Sequence, residues 1–225
     1  MRQFSFIGLL SLLIFAPFQP PSGVVHHHPA PETLSAQTVE TVEDVRLLAY
    51  NTFLRPFPVS IGTENVCRAR RIGDRLTGEH ADFDILAFTE TFHTRASHQL
   101  REKLIEDYPH RIIRKPVREG FETNGGLSLF SRYPIERWVS RRFDTCNGTF
   151  NDCLAAKGYL HAVIHVAADL KINVVTTHLN SGRSESDRTS RARQLDQLRA
   201  YLGSNAYIER RPTLLAGDVN VDGVM

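Results

Sequence analysis

The sequence predicts an α/β fold in which a mixed β-sheet is covered by helices. From about residue 45 onward, strand-like segments first alternate with helical ones and later follow one another directly. The chain has 225 residues, of which 41% are hydrophobic, so an ordinary core can be buried and a disordered chain is excluded. The net charge of +2 gives no field strong enough to indicate nucleic acid as the partner.

The individual elements are placed by their hydrophobic periodicity. Strands are predicted at residues 45–53, 84–90, 125–132, 135–143, 158–166, 171–179 and 213–220. Apolar residues three or four positions apart predict helices at residues 64–79, 97–108 and 187–204. The last of these helices is expected to turn four residues inward, namely Ala192, Leu195, Leu198 and Leu202.

The N-terminal segment carries the features of an export signal. Arg2 is followed by an apolar run over residues 4–16 that ends at Pro17, shorter than the roughly 20 residues of a spanning helix. We therefore predict a signal peptide over residues 1–18 and a secreted or periplasmic protein. A hydrophobic core helix and a retained membrane anchor are the alternatives. The proline-rich residues 19–42, which include three adjacent histidines, are predicted to be a linker before a domain at 43–225.

The three cysteines fit an exported protein without forming a disulfide-rich scaffold. Cys146 and Cys153 flank a polar, turn-rich stretch, and a short-loop disulfide between them is plausible in an oxidising compartment. Cys67 lies on a predicted helix and is interpreted as a buried free thiol.

Polar residues interrupt apolar strand faces at the carboxyl ends of four predicted strands. Side chains two positions apart share a face of a strand. The interrupting residues are Asn51, Glu90, His178, and the pair Asp218 and Asn220. Each alone could be a satisfied structural polar group, but a buried carboxylate is costly unless it is paired or bound to metal. Together they predict one rim of hard oxygen ligands and a histidine, which suits Mg²⁺ or Ca²⁺.

At these residues the chain resembles the endonuclease/exonuclease/phosphatase superfamily, and more closely the secreted bacterial sphingomyelinases C. The resemblance covers about residues 45–222 and depends on the order and spacing of several motifs. They are residues 49–52 (AYNT), 89–92 (TETF), 125–135 (GGLSLFSRYPI), 157–159 (KGY), 177–179 (THL) and 217–220 (GDVN). It implies a DNase I-like, four-layered α/β sandwich of two mixed sheets flanked by helices, and hydrolysis of sphingomyelin to ceramide and phosphocholine at a membrane surface.

The resemblance also implies roles for individual residues. Glu90 would be the main Mg²⁺ ligand with Asn51 beside it, although other divalent cations are possible. Asp218 and Asn220 would align the attacking water, and His178 would stabilise the transition state or protonate the leaving group. Two residues would bind substrate, Lys157 and Phe92. For Lys157, a loop lysine at the start of a strand is an equal alternative.

The sequence departs from the family pattern in two places. Thr123 and Asn124, with Glu122 before them, stand where relatives often carry acidic residues tied to a second metal. The family pattern also continues past residues 217–220 to a Ser-Asp-His segment, whose histidine is the catalytic base, and includes an aromatic hairpin. The fold is therefore expected to be incomplete at the C-terminus and the chain weakly active or inactive.

Two other functions remain open from the sequence. One is a DNase-like endonuclease on the same fold, because a fold does not select a substrate. The other is a non-catalytic remnant that binds metal or a partner. Two arginine-rich stretches, at residues 68–75 and 183–193, are interpreted as solvated helix faces, although the second could attract an anionic substrate near His178.

Overall fold

The structure is a computed structural model that describes residues 25–27, 44–56, 59–113, 125–148, 152–204 and 210–221. The predicted signal peptide, the predicted linker on both sides of residues 25–27, and residues 122–124 lie outside the described residues. Within the described ranges, no helix has the length and apolar character needed to cross a membrane.

Nine strands and three α-helices make up the described part of the chain. The strands are β1 (Val25–His27), β2 (Leu47–Leu54), β3 (Ile85–Thr91), β4 (His110–Ile113), β5 (Ser128–Ser131), β6 (Ile135–Arg142), β7 (Gly158–His165), β8 (Lys171–His178) and β9 (Thr213–Asp218). The helices are α1 (Asn65–Leu76), α2 (Thr94–Leu104) and α3 (Glu185–Ser204). Every predicted element is present with its ends shifted by a few residues. Strands β1 and β4 were not predicted, and β1 lies inside the predicted linker.

The strands form two mixed sheets. The five-stranded sheet has the order β1-β6-β7-β8-β9, in which β8 and β9 are parallel and the other pairs antiparallel. The four-stranded sheet has the order β2-β3-β5-β4, in which β2 and β3 are parallel and the other pairs antiparallel. Strands β2 and β9 are thus edge strands of their sheets within the described residues, and they approach each other.

The hydrophobic clusters confirm a four-layered sandwich. Between the sheets, Ala87 and Leu129 pack with Leu160 and Val174. On the outer face of the four-stranded sheet, α1 and α2 cover a cluster that contains Phe88. A third cluster joins α3 to the outer face of the other sheet, with these members: Phe143, Tyr159, Val175, Leu179 and Leu198. The order of layers is therefore helix, sheet, sheet, helix.

The buried face of α3 differs from the predicted one. Leu198 is buried and Leu202 partly buried as expected, but Ala192 and Leu195 are exposed. Arg191 and Gln194 take the inward positions instead. Their side chains hydrogen-bond to loop carbonyl groups, and these bonds offset the cost of removing the polar groups from water. The periodicity of apolar residues alone therefore predicted a stripe rotated by one residue.

Candidate active site

The carboxyl ends of β2, β3 and β9 meet at one amide group. The Nδ2 atom of Asn51 donates to Glu90 Oε1 at 3.0 Å and to Asp218 Oδ2 at 2.9 Å. Three of the residues that the sequence predicts to converge are therefore in direct contact. The amide partly compensates the two negative charges, which otherwise repel each other.

Glu90 reaches this point through an unusual backbone conformation. Parallel pairing sets Asn51 beside Thr89 and Tyr50 beside Phe88, so strict alternation would place Glu90 on the helix-covered face with Phe88. The φ angle of Glu90 is +58°, in the left-handed region, and the side chain turns toward Asn51 instead. The expectation that Glu90 meets Asn51 agrees with the structure, but a shared strand face is not the reason.

Left-handed backbone is concentrated around these residues. Within the described ranges, the non-glycine residues with positive φ are Phe53, Glu90, Ala156 and Asn220. Phe53 donates its backbone N–H to Asn51 Oδ1 at 3.0 Å, and Ala156 precedes Lys157. Each such residue costs on the order of 1–3 kcal/mol, a strain typical of functional sites.

Asp218 is held by both of its neighbouring asparagines. Besides Asn51, the backbone N–H of Asn220 donates to Asp218 Oδ1 at 3.0 Å. Partial burial acts to raise the pKa of Asp218, but these hydrogen bonds and the nearby cationic groups outweigh it and leave the pKa lowered. Asp218 is thus ionised at neutral pH.

His178 lies beside Asp218 in a buried position. Its Nε2 atom is 3.8 Å from Asp218 Oδ2, and its Nδ1 atom has no hydrogen-bond partner among the described residues. Burial, and then the charge of Lys157, lower the pKa of His178 to about 4. The imidazole is therefore neutral at pH 7 and can donate a hydrogen bond from one nitrogen.

Lys157 is part of a buried network. Its Nζ atom lies 2.6 Å from Asp152 Oδ1 and donates to the carbonyl oxygen of Leu179 at 2.8 Å. Asn220 Nδ2 donates to the same carbonyl at 2.8 Å, which connects Lys157 to the rest of the cluster. Burial lowers the pKa of Lys157, and Asp152 offsets part of that effect. Lys157 directly precedes β7, as the alternative of a loop lysine at the start of a strand has it, but its side chain is buried.

The side chain of Phe92 packs against the turn that precedes β5. Its ring lies against Gly126, where a Cβ atom would come within 2.6 Å of the ring atoms. The glycine is required there because of this contact and its φ of +65°. Phe92 thus covers the turn before β5.

The structure contains the disulfide between Cys146 and Cys153, with the two Cα atoms 5.3 Å apart. Cys67 is free and half-buried, so it is less enclosed than predicted. The bridged loop carries Asp152, which accepts hydrogen bonds from the Ser181 N–H and hydroxyl, both at 2.8 Å. The disulfide therefore fixes the chain next to the partner of Lys157.

Three residues around the cluster were missed from the sequence. Asp152 lies in a stretch whose Asn and Gly residues indicate only a turn. Arg191, interpreted as solvated, is buried and donates to the carbonyl groups of Asn180 and Gly182 at 3.0 and 2.8 Å. Asp187 stands three residues after Ser184, a spacing that indicates a capping box and could have identified it.

The oxygen atoms at the cluster are compatible with a divalent cation. Glu90 and Asp218 direct carboxylate oxygens at the same Asn51 nitrogen, and such hard oxygens are the ligands that Mg²⁺ prefers. Asn51 Oδ1 accepts from Phe53 and keeps a second lone pair. Among the described residues, no three or more His, Cys, Asp or Glu side chains are grouped so that they could hold a metal ion.

A cavity of about 1060 Å³ opens beside the cluster. Asn51, Asp218 and Asn220 line it, together with Arg183, Arg188 and Arg191. Tyr50 is the aromatic residue among its described lining residues. Among its described lining residues, a ligand would therefore meet three arginines but one aromatic side chain.

Comparison with known proteins relates the chain to one family. The model of the Endonuclease/Exonuclease/phosphatase family matches residues 59–223. Sphingomyelinase C 2 of Leptospira interrogans is 26% identical over 212 residues, which cover 85% of this chain and 32% of that protein. A putative neutral sphingomyelinase of Caenorhabditis elegans is 27% identical over 190 residues, covering 79% of this chain and 41% of that protein.

Solved structures show the same fold. Sphingomyelinase C from Streptomyces griseocarneus superposes with a TM-score of 0.69 at 26% identity, covering 80% of this chain and 66% of that one. A beta toxin mutant from Staphylococcus aureus with bound magnesium ions gives a TM-score of 0.70 at 22% identity, covering 81% of this chain and 67% of that one. The chain spans only about a third of the length of the Leptospira relatives.

Proposed function

The chain belongs to the endonuclease/exonuclease/phosphatase family, and we propose that it is a secreted, Mg²⁺-dependent phosphodiesterase that hydrolyses sphingomyelin to ceramide and phosphocholine. Several relatives named as sphingomyelinases support the substrate. The related beta toxin with bound magnesium supports the cation. The apolar N-terminal run and the disulfide support secretion.

The contact of Asn51 with both Glu90 and Asp218 is the observation that carries this proposal. It brings together two carboxylates from separate sheets, and one of them, Asp218, lines the cavity of about 1060 Å³. A structural role alone does not require two acids so close together, because paired like charges cost stability. Binding of a cation and a water molecule would account for two carboxylates at this position.

We assign each residue a part in the reaction. Glu90, with the Asn51 oxygen, would hold the cation, which when bound supplies positive charge to the phosphate oxygens. Asp218, fixed by Asn51 and Asn220, would accept a hydrogen bond from the attacking water and orient it. Neutral His178 would donate a hydrogen bond to a phosphate or leaving-group oxygen.

Lys157 would act mainly through its charge. Asp152 and Leu179 use two of its three N–H groups, and the third can face a phosphate oxygen. The role of Phe92 in substrate binding stays a prediction, since its ring lies against Gly126.

The proposal is tested by phosphocholine release from sphingomyelin in detergent micelles, with Mg²⁺ and with chelator. We expect weak hydrolysis, and only with Mg²⁺. Glu90→Gln should weaken calorimetric Mg²⁺ binding by at least about tenfold, because even the loss of an outer-shell partner of a metal has an effect of that size. Glu106→Gln, which changes an exposed glutamate, is the matched control. Hydrolysis in chelator, unchanged Mg²⁺ binding by the Glu90 variant, or no release of phosphocholine would each contradict the proposal.

A second candidate is favoured by the arginines of the cavity. A nuclease acts on a polyanionic phosphodiester chain, which Arg183, Arg188 and Arg191 would attract. Plasmid DNA is therefore assayed in parallel under the same conditions. Cleavage of DNA without release of phosphocholine would replace the sphingomyelinase proposal with the nuclease one.

A further inference from the structure

A groove of about 530 Å³ lies between α1 and the edge strand β2. Three arginines of α1, spaced three and four residues apart, line one side of it: Arg68, Arg71 and Arg75. Its apolar lining comes from both elements and comprises Leu48, Tyr50, Ile72 and Leu76. This combination, which we call the arginine groove, offers cationic groups beside apolar surface.

The charge of the arginine groove is positive on balance. Glu64 is the carboxylate that lines it, and its distance of 3.9 Å from Arg71 makes a weak, exposed pair. The acidic residue of α1 that pairs closely, Asp74, contacts Lys103 of α2 on the other side of the helix. Arg55 adds a further cation next to the groove, because it and Arg68 lie 4.1 and 5.2 Å from the Phe53 ring centre.

Exposed apolar side chains lie just before the N-terminus of α1. In the turn before the helix, Ile61 is 74% exposed and Val59 is 53% exposed. Tyr50, 44% exposed, lines both the arginine groove and the cavity at the candidate active site. Tyr50 thus connects the candidate active site with the arginine groove, and Val59 and Ile61 lie in the turn that leads into the helix carrying its arginines.

We propose that the arginine groove docks the protein on anionic phospholipid surfaces, with the arginines at the headgroup phosphates and Ile61 in the interfacial region. Guanidinium groups bind phosphate in a bidentate manner, and a basic patch beside exposed apolar residues gives two additive membrane signals. The apolar lining is mainly aliphatic, with Tyr50 as its aromatic member, and this favours lipid over single-stranded nucleic acid, whose bases stack on aromatic side chains. The inference deepens the proposed lipid hydrolysis, because it names the surface that would bring the site to its substrate.

The test is cosedimentation of the protein with vesicles that contain no sphingomyelin, in the presence of chelator. We expect binding to mixed phosphatidylcholine and phosphatidylglycerol vesicles, none to pure phosphatidylcholine, and weakening with salt. Each basic residue near such a surface contributes about fivefold in affinity, so Arg68→Gln, Arg71→Gln and Arg75→Gln together should lose about 100-fold.

A matched variant removes the same charge elsewhere, through Arg95→Gln, Arg193→Gln and Arg199→Gln, all at exposed positions. It should retain most of the binding, whereas Ile61→Ser should weaken it. Equal losses in both triple variants, absent binding, or tighter binding to duplex DNA than to the anionic vesicles would overturn the inference. Hydrolysis of micellar sphingomyelin without vesicle binding would refute only the proposed docking surface. Vesicle binding without hydrolysis would refute only the proposed hydrolysis of sphingomyelin.

Discussion

Asn51 and Asp218 are 167 residues apart in the chain, yet the Asn51 amide nitrogen lies 2.9 Å from a carboxylate oxygen of Asp218. The same nitrogen also contacts Glu90. The contact joins β2 of one sheet to β9 of the other at their carboxyl ends. A single amide therefore fixes how the acidic groups from the two sheets face each other.

This contact predicts that the stability effect of Asn51 depends on the metal. Asn51→Leu leaves two carboxylates facing each other without their donor, so unfolding in chelator should cost about 1–2 kcal/mol less free energy than for the wild type. Mg²⁺ should change the size of that loss, because a cation compensates the same charges and Asn51 is one of its proposed ligands. Urea unfolding with chelator and with Mg²⁺ measures both values.

Asn65 provides the control for this experiment. It is also buried, and its Nδ2 atom donates to the carbonyl oxygen of Arg55 at 2.9 Å, away from the two carboxylates. Asn65→Leu should lose stability equally with and without Mg²⁺. If the Asn51 variant behaves in the same way, the amide has only a structural role.

The buried pair of Asp152 and Lys157 should be far more important for stability than an exposed pair of equal length. Both pairs have an N–O distance of 2.6 Å, but Lys103 and Asp74 lie at the surface. Asp152→Ala leaves a buried lysine without its counter-ion and should cost about 3–5 kcal/mol of unfolding free energy. Asp74→Ala should cost less than about 1 kcal/mol.

A double variant distinguishes the pair from its surroundings. Lys157→Met combined with Asp152→Ala removes the unpaired charge and should be more stable than Asp152→Ala alone. A double variant that is less stable than either single one would show that the two side chains act independently. Denaturant unfolding of all variants gives the coupling free energy.

Local patterns were sufficient to predict most of the strands and helices and the residues that meet at the site. Hydrophobic periodicity indicates which face of an element is buried, and a polar residue near the end of a strand indicates where the buried row of side chains ends. Neither pattern contains the φ angle of Glu90, which decides the face on which its side chain lies. Arg191 and Asp152 were likewise unpredictable, because their burial depends on hydrogen-bond partners in the loop between β8 and α3, whose conformation the periodicity does not record.

The disulfide should contribute about 2–3 kcal/mol of unfolding free energy, as the entropy of closing a loop with a sequence separation of 7 implies. Replacing Cys146 and Cys153 together by serine removes it, and urea unfolding measures the loss. Thiol titration of the denatured, unreduced protein should find one reactive group, Cys67, and three after reduction. Three thiols before reduction in exported protein would reject the bridge.

Asp187 should make the stability of the protein depend on pH in the acid range. Hydrogen bonds from Ser184, and then from Asn147, hold its pKa at about 2, below the ordinary value of 3.8. Because the folded protein binds the proton more weakly than the unfolded chain, this stabilisation is fully present above pH 3.8 and disappears as the pH falls through about 2. Asp187→Asn should therefore be less stable than the wild type at pH 7, with a difference that shrinks to nothing near the lower pKa.

Asp196→Asn on the same helix, whose partner Arg199 is 3.3 Å away and exposed, should differ little at any pH. A constant deficit of the Asp187 variant across this range would mean that its hydrogen bonds do not depend on the charge.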